Sequence, residues 1–452
     1  MKLKWLHLKD FRCFDELGID FDDKLTVIVA DNGAGKTAIL DAIAIGFGRY
    51  LTKLKWPGVP GRTFQTTDLR VTQGERRAPF MLILWNARTK ESELVWMGGR
   101  KRDSTPQTML AQKHFSEELI IPLPRGYKGL DTYTQALVQA DTEQQEYFLP
   151  VIAYYGTNRV VRDEVKRRRG FKKNFHRFDA LAGALEPDSR FRTAFEWFNA
   201  MEDAERRERI ARRDFDYQHP ELEGVRKAIV RMLSPQFSNP RTEARPLRFV
   251  IDRHAPDGTT STLRIGQLSD GYRTVLGLVM DFARRLMEAN SWVIANGENP
   301  LDLPAIALID EVDLHLHPSW QQHVLKDLTQ TFPNTQFIVT THSPQVLSTV
   351  KRENIRVIGP DASGKLIAKT PLAMTYGEPS GDVLHSVMQV DPQPPVSEKA
   401  DLQRLTALVD QGDYQRLEAK KLMQKLRNKL GEHHPQLQRL QRSIARQKAL
   451  KS

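Results

Sequence analysis

The chain has 452 residues, of which 40% are apolar and 27% charged, a balance typical of a soluble globular protein with at least one sizeable core. The sequence has no apolar run of the roughly 18 residues that cross a bilayer, and its start does not have the apolar core of a signal peptide. Its single cysteine excludes an intrachain disulfide. We therefore expect a cytoplasmic protein. The formal charge of +11 suits DNA or RNA as a partner, although a merely basic soluble protein would carry the same charge.

The first chemical motif follows a predicted strand near the N-terminus. The apolar, β-branched run LTVIVA is followed by DNGAGKT and then by a predicted helix. Gly33 and Gly35 allow the loop amides to curl around one anion. Lys36 would reach the β- and γ-phosphates of ATP, and the Thr37 hydroxyl would bind Mg²⁺. Ala30 stands where this motif usually has its first glycine. The predicted nucleotide-binding residues of the loop are Asn32, Gly33, Ala34, Gly35, Lys36 and Thr37.

A second predicted strand, VIAYY at 151–155, precedes a basic insert of roughly 100 residues. The insert opens with the basic run from Arg159 to Arg177, which would either bind phosphates or form a solvated helix face. Predicted helices follow the basic run. Phe171, Phe175 and Phe178 lie among these charges, and packing is favoured over stacking on bases. The hairpin LRFVIDRHAPDGTTSTLRI ends the insert, with its turn at PDG.

A possible second anion site lies at the start of a long amphipathic helix. The sequence LSDGY precedes this helix, so Ser269 or Asp270 would cap it in the simplest interpretation. A Ser-x-Gly turn that includes Gly271 also offers backbone amides to an anion at a helix N-terminus. The local pattern leaves both interpretations open.

Two further predicted strands end in residues suited to phosphate chemistry. The strand PAIALID ends in Asp310, which would hold Mg²⁺, and Glu311, which would polarise the attacking water. The strand TQFIVT is followed closely by His342, which would lie beside the γ-phosphate. The spacing predicts a right-handed βαβ unit. Since the carboxyl ends of parallel strands share one edge, we expect Thr37, Asp310, Glu311 and His342 to gather there.

The order of these motifs resembles that of the ABC-type ATPases. LSDGY is similar to their LSGGQ signature, and IDEVDLHLHP and LHLKDFRCFDELGIDF are similar to phrases of the branch that contains the overcoming-lysogenization-defect (OLD) and RecF-like proteins. The resemblance implies that ATP joins two copies head to tail into a homodimer or a higher homo-oligomer. Asp313 would couple the two sites, and Arg12 would lie near the base or ribose. The residues that would cover the γ-phosphate of the other copy are Ser269, Asp270 and Gly271.

Shorter phrases resemble a defence branch of these ATPases. YYGTNR, TYGEPSGDVLHSVM and LGEHHPQLQRL are similar to the PtuA family of the Septu anti-phage system and to retron-associated ATPases. This resemblance implies regulation of a separate HNH nuclease of the PtuB type. The chain lacks the acidic cluster of a Toprim nuclease and a His-Asn-His pattern, so no nuclease site of its own is expected. A RecF-like DNA-repair ATPase remains an alternative. A transporter subunit fits less well, because the signature lacks its glutamine and the insert interrupts the head.

The expected fold class is α/β, with an ABC-ATPase-like P-loop head, a mixed and mainly parallel sheet, a helical insert and a helical tail. A strand pair, VIGP and KLIAK, is predicted to close the sheet, and DPQPP marks the start of the tail. The expected divisions are an N-terminal lobe at 1–158, the basic helical insert at 159–245, a C-terminal lobe at 246–370 and a helical domain at 371–452.

Overall fold

The computed structural model describes residues 1–54, 61–71, 76–110, 113, 124, 126–159, 175–187, 191–233 and 235–451. Most of the predicted basic run, including Phe171, lies outside these residues. The chain divides into two compact units, Met1–Val383 and Leu384–Ser452. The larger unit therefore extends beyond residue 370, the last boundary that the sequence predicts. None of the helices in the described part of the chain combines the length and apolarity that crossing a bilayer requires.

The bounds of the elements follow in chain order. The main strands are β1 Lys2–Phe11, β2 Phe14–Asp20, β3 Leu25–Ala30, β4 Phe80–Arg88, β5 Glu93–Lys101, β6 Val151–Tyr155, β7 Phe237–Ala244, β8 Leu247–His254, β9 Thr260–Arg264, β10 Ala305–Ile309, β11 Thr335–Thr340, β12 Ile355–Pro360 and β13 Leu366–Lys369. The main helices are α1 Lys36–Lys53, α2 Lys128–Thr142, α3 Phe191–Arg212, α4 Pro220–Leu233, α5 Asp270–Ala289, α6 Pro318–Gln321, α7 Val324–Thr331, α8 Pro344–Leu347, α9 Ser380–Ser386, α10 Lys399–Asp410, α11 Leu417–Leu430 and α12 Pro435–Lys451.

A six-stranded sheet forms the centre of the larger unit. Its order is β13-β12-β3-β11-β10-β6; the last five strands are mutually parallel, and β13 is antiparallel to β12. Strands β6, β10 and β11 are buried along their whole length, as expected for a parallel sheet that is covered on both faces. The predicted strands around the phosphate loop, Asp310 and His342 are confirmed, and so is the α/β fold class with its mixed sheet. The strand pair at the sheet edge is confirmed as β12 and β13.

A second, antiparallel sheet holds the helix that follows the phosphate loop. Its order is β2-β1-β4-β5. The Trp85 indole N–H on β4 donates to the Ala42 carbonyl of α1 at 3.0 Å, and the Trp96 indole N–H on β5 donates to the Gly46 carbonyl at 3.2 Å. A Cβ atom at Gly46 would lie 2.4 Å from the Trp85 ring, so only glycine permits this approach. These contacts fix α1, and therefore the loop at its N-terminus.

The insert joins the C-terminal lobe through a third sheet. Strands β7, β8 and β9 are antiparallel in that order, and β8 and β9 form the predicted hairpin. The pairing of β7 with β8 crosses the expected boundary at residue 245, so residues on both sides of it belong to one sheet. The sequence did not predict β7, because its polar residues and Pro240 are atypical of a strand. Helices α3 and α4 pack on α5, the helix that follows LSDGY.

The smaller unit contains the predicted helical tail. Helices α10, α11 and α12 pack around a shared apolar core, which confirms the helical prediction for this segment. Its buried side chains are Leu402, Leu405, Leu408, Val409, Tyr414, Ala419, Leu426, Leu437 and Leu440.

Candidate functional site

The phosphate loop lies between the end of β3 and the start of α1. Gly33 and Gly35 have φ angles of +80° and +94°, in the left-handed region that favours glycine. A Cβ atom at Gly35 would lie 2.4 Å from the Phe14 ring and 2.5 Å from Cys13 Sγ, whereas the space at Gly33 is open. Asn32, just before Gly33, is exposed, and Ala34, between the two glycines, is half-buried. Both the backbone angles and the packing therefore require glycine at position 35.

Lys36 lies at the centre of this loop. Its ammonium donates to the Ala30 carbonyl at 2.8 Å and to the Asp31 carbonyl at 3.2 Å. Burial lowers the pKa of Lys36, and the nearby carboxylates of Asp310 and Glu311 oppose this shift. The charge is thus held beside the position that a bound phosphate would take against the loop amides.

The structure brings together the two predicted Mg²⁺ ligands, which are 273 positions apart. Thr37 Oγ1 donates to Asp310 Oδ2 at 2.7 Å, and Thr340 Oγ1 donates to Asp310 Oδ1 at 2.6 Å. The Asp310 residue is only 3% exposed. A hydroxyl and a carboxylate are oxygen ligands of the kind that Mg²⁺ takes together with water and nucleotide phosphates, so this pair fits the ion.

Glu311 lies on a tight turn directly after β10. Its φ angle is +46°, a conformation that costs a non-glycine residue free energy. The Glu311 amide donates to Thr340 Oγ1 at 2.7 Å, and the Val312 amide donates to the Thr340 carbonyl at 2.9 Å. The last residue of β11 therefore holds both acidic residues of the neighbouring strand end.

Arg159 also holds this turn, although the sequence patterns do not mark it as part of the site. Its side chain is 1% exposed and donates to the Gly156 carbonyl at 2.9 Å and to the carbonyls of Asp310 and Glu311. Burial lowers the pKa of Arg159 to about 10, against the opposing effect of Asp310, Asp313 and Glu311. The sequence shows Arg159 only as the first residue of a basic run. Its position just beyond β6 was the one available signal.

The predicted coupling residue and the predicted histidine lie on adjacent turns. Asp313 Oδ1 accepts a hydrogen bond from Thr341 Oγ1 at 2.5 Å, and the Ser343 amide donates to the same hydroxyl at 3.0 Å. His342 lies between these two residues, half-buried, at the carboxyl end of β11. The strand ends thus gather Thr37, Asp310, Glu311 and His342 at one edge of the sheet, as the parallel topology predicts.

The signature turn is exposed at the start of α5. Ser269 occupies the N-cap position, but its side chain makes no capping hydrogen bond, which corrects the simple capping interpretation for this residue. Ser269 and Asp270 are exposed, and Asp270 pairs with Arg273. A Cβ atom at Gly271 would lie 2.7 Å from the His315 carbonyl oxygen. Within the described residues, no hydrogen bond joins this turn to the phosphate loop of the same chain.

Arg12 is close to α1, and carboxylates bind its guanidinium. Its Nε donates to Asp68 at 2.9 Å and its terminal nitrogen donates to Asp41 at 2.5 Å. Asp41 lies one turn beyond Thr37 on α1 and also pairs with Arg62 at 2.8 Å. Contact of Arg12 with the base or ribose stays a prediction, and such a contact would have to compete with these ion pairs.

Two protein families match the chain. The family described as "AAA domain" matches residues 6–229. The family described as "AAA domain, putative AbiEii toxin, Type IV TA system" matches residues 151–348. The first match contains the phosphate loop and the second contains the signature turn, the acidic pair and His342. Together they include both halves of the site.

Individual relatives match most of the chain or a part of it. The "Retron Ec83 probable ATPase" of Escherichia coli is 28% identical over 92% of this chain and 82% of its own length. The "Retron Vc95 probable ATPase" of Vibrio cholerae serotype O1 biovar El Tor is 27% identical over 91% of this chain and 84% of its own length. "Septu protein PtuA" of Bacillus mycoides is 32% identical over 27% of this chain and 18% of its own length. Among solved structures, the "SMC head domain from Thermotoga maritima" matches with a TM-score of 0.41 and 17% identity, covering 82% of this chain and 100% of that chain.

Proposed function

We propose that this chain, which belongs to the ABC-type ATPases of the OLD/RecF-like class, hydrolyses ATP with Mg²⁺ at sites shared between two copies. The observation that supports this most strongly is the assembly of the phosphate loop with Asp310 through the Thr37 hydrogen bond of 2.7 Å. That contact joins two residues of the kind that bind Mg²⁺, one of them next to Lys36 in the chain, and Glu311 follows Asp310 directly.

The phosphate loop and the acidic residues beside it have distinct roles in the proposed reaction. The loop amides and Lys36 bind the β- and γ-phosphates. Thr37 and Asp310 would hold Mg²⁺, which would supply positive charge against the negative charge of the transferring phosphoryl group. Glu311 orients the attacking water and takes up its proton as the water oxygen bonds to the γ-phosphorus. The bond from that phosphorus to the bridging oxygen breaks, and ADP leaves with this oxygen. His342 donates to a γ-phosphate oxygen.

The exposure of the signature turn supports a shared site. Ser269 and Asp270 face solvent at a helix N-terminus, where free backbone amides attract anions. In the proposed dimer, these amides cover the γ-phosphate that the other copy binds, and Asp313 couples the two sites. ATP then holds the two copies together, and hydrolysis releases them.

A mixing experiment tests the shared site. Ser269→Arg blocks the turn and leaves Lys36 intact, while Lys36→Ala disables the loop and leaves the turn intact. Each variant alone should be inactive. An equal mixture should recover roughly a quarter of the wild-type phosphate release, since half of the randomly formed dimers contain one intact composite site of two. No recovery at any mixing ratio would show that each chain works alone.

We further propose that the ATPase acts in the cytoplasm and regulates a partner HNH nuclease in anti-phage defence. The support is the extended similarity to two retron ATPases, together with the partial similarity to PtuA. Affinity purification of the tagged native chain, with mass spectrometry of its partners, tests this directly. An HNH protein in the complex supports the proposal, whereas replication-repair proteins alone would favour the RecF-like alternative.

A further inference from the structure

The smaller unit carries a large share of the positive charge of the chain. Residues 384–452 contain 13 Lys and Arg against 7 Asp and Glu, whereas the whole chain has a formal charge of +11. The excess of six positive charges within 69 residues is therefore more than half of the total. Such a concentration indicates an anionic partner for this unit.

Most of the carboxylates in this unit form ion pairs with lysine or arginine side chains of the same unit. Five acidic residues form ion pairs of 2.5–3.0 Å with five basic residues. The pairs are Asp391 with Lys399, Glu418 with Arg404, Asp413 with Arg416, Asp401 with Lys425, and Glu398 with Lys429. Only Asp410 and Glu432 remain as acidic residues outside these pairs.

The remaining cations lie on α11 and α12. Within the described residues, seven of them have no carboxylate within ion-pairing distance, and four belong to α12, which contains no acidic residue. These unpaired cations are Lys420, Lys421, Arg427, Arg439, Arg442, Arg446 and Lys448. Their charge is therefore not neutralised within the unit.

Three of these arginines share one face of α12. Arg439, Arg442 and Arg446 are spaced three and four residues apart, which places them on one side of a helix. All three are exposed, whereas Leu437 and Leu440 are buried in the core of the unit. The positions divide α12 into an apolar face that packs on α10 and α11 and an arginine face that lies in solvent.

We propose that this arginine face binds the phosphate backbone of a nucleic acid. Guanidinium groups donate paired hydrogen bonds to phosphate oxygens and keep their charge at every physiological pH. Between Arg439 and Arg446 the exposed side chains are polar or small, including Ala445. One exposed large apolar side chain, Leu450, lies one turn beyond Arg446 on the same side of the helix. A single leucine at the edge of the face is not the central cluster of apolar anchors that stable protein interfaces use. This composition favours a phosphate chain over an acidic protein segment.

The inference is independent of the proposed control of a nuclease. Backbone contacts carry no base sequence information, so the face would bind DNA or RNA through shared chemistry. Binding also requires no opening of the fold, because the three arginine side chains are already exposed to solvent. The face would thus bind a nucleic acid to the chain whether or not ATP is hydrolysed.

The test compares two full-length variants with equal charge. The first changes Arg439, Arg442 and Arg446 to Gln. The control changes Arg404, Arg416 and Lys425 to Gln, which removes the same charge from the same unit at cations that are already paired. Both sets are exposed, so melting temperatures should change little, and phosphate release from ATP should match that of the wild type.

Binding is measured by fluorescence anisotropy with labelled probes of about 30 nucleotides, as single-stranded DNA, duplex DNA and duplex RNA, over a range of salt concentrations. The slope of log affinity against log salt should become shallower by about 2.7 for duplex DNA, or by about 2.1 for a single strand, in the first variant. The control should keep most of the wild-type slope. The strongest of the three probes identifies the nucleic acid form.

Three results would overturn the inference. They are wild-type protein that binds none of the probes at low salt, equal loss of binding in both variants, or preferential binding of a labelled poly-glutamate peptide that depends on the three arginines. The last would assign the face to an acidic protein. Loss of nucleic-acid binding in the first variant, with normal phosphate release, would support the inference and leave the proposed ATPase function intact. A failure of the proposed arginine face is therefore distinguishable from a failure of the proposed ATPase.

Discussion

Arg159 offers the sharpest test of how the site is held together. Arg159→Met removes the donors to the carbonyls of Gly156, Asp310 and Glu311. The Glu311 carbonyl still accepts from the Leu314 amide at 2.9 Å, so two carbonyls are left in need of a partner. A buried polar group without a partner costs about 1–3 kcal/mol, which makes the expected loss of unfolding free energy about 2–6 kcal/mol.

The pKa of Arg159 narrows this range. Burial lowers it to about 10, which means that burying the charge is itself unfavourable and that methionine removes that cost. We therefore expect the loss of unfolding free energy to fall in the lower half of the range. The catalytic effect should be separate, because the Glu311 turn has a φ angle of +46° and depends on its hydrogen bonds to keep that conformation.

The expected kinetic result is a fall in kcat with little change in KM for ATP. Glu311 would be displaced, whereas the loop and Lys36 would be untouched, and a displacement of about 1 Å can lower a rate by about 10²-fold. Phosphate release is measured over a range of ATP concentrations, well below the melting temperature of the variant. Urea unfolding gives the loss of stability on the same protein.

Arg177→Met is the matched control. Arg177 also donates to two backbone carbonyls, those of Ala289 at 3.2 Å and Tyr147 at 3.0 Å, and neither belongs to the nucleotide site. This variant should lose stability and keep its kcat. Equal falls in kcat for both variants, or an unchanged kcat for Arg159→Met, would refute the argument that Arg159 positions Glu311.

Three further predictions concern the loop, the general base and a buried acid. Gly35→Ala should weaken ATP binding far more than Gly33→Ala, because both have positive φ but only position 35 adds a Cβ contact of 2.4 Å; equal nucleotide affinities by fluorescence titration would contradict this. Glu311→Gln should retain ATP binding, lower turnover by about 10²–10⁴-fold and accumulate an ATP-bound dimer in light scattering; normal turnover would show that another group is the base. Burial raises the pKa of Glu288 to about 7 from 4.5, so the folded state binds the extra proton between these values and the free energy of unfolding should fall as pH rises through them. Glu288→Gln should flatten that fall in urea unfolding at several pH values, and an unchanged profile would contradict the assignment.

Local patterns were sufficient to predict much of the head. Short β-branched runs predicted the parallel strands, because a strand that is buried on both faces has no polar alternation to obscure it. The glycines, Lys36 and Thr37 could be assigned from their order along the chain, since a phosphate loop is built from consecutive residues. The antiparallel sheet that clamps α1 was not predicted, because pairing such as that of β1 with β4 joins distant segments.

The sequence alone therefore identified the residues within each motif. The tertiary structure decided which atoms of different motifs contact one another. The hydrogen bond between Thr37 and Asp310 spans 273 positions, and only the order of strands in the sheet brings its two ends together. Arg159 shows the same limit more strongly. In the sequence it is one cation in a basic run, and in the fold it is a buried donor to the carbonyls of Asp310 and Glu311. Burial and hydrogen-bond partners depend on the packing of remote segments, so the position of Arg159 just beyond β6 could not by itself identify this role.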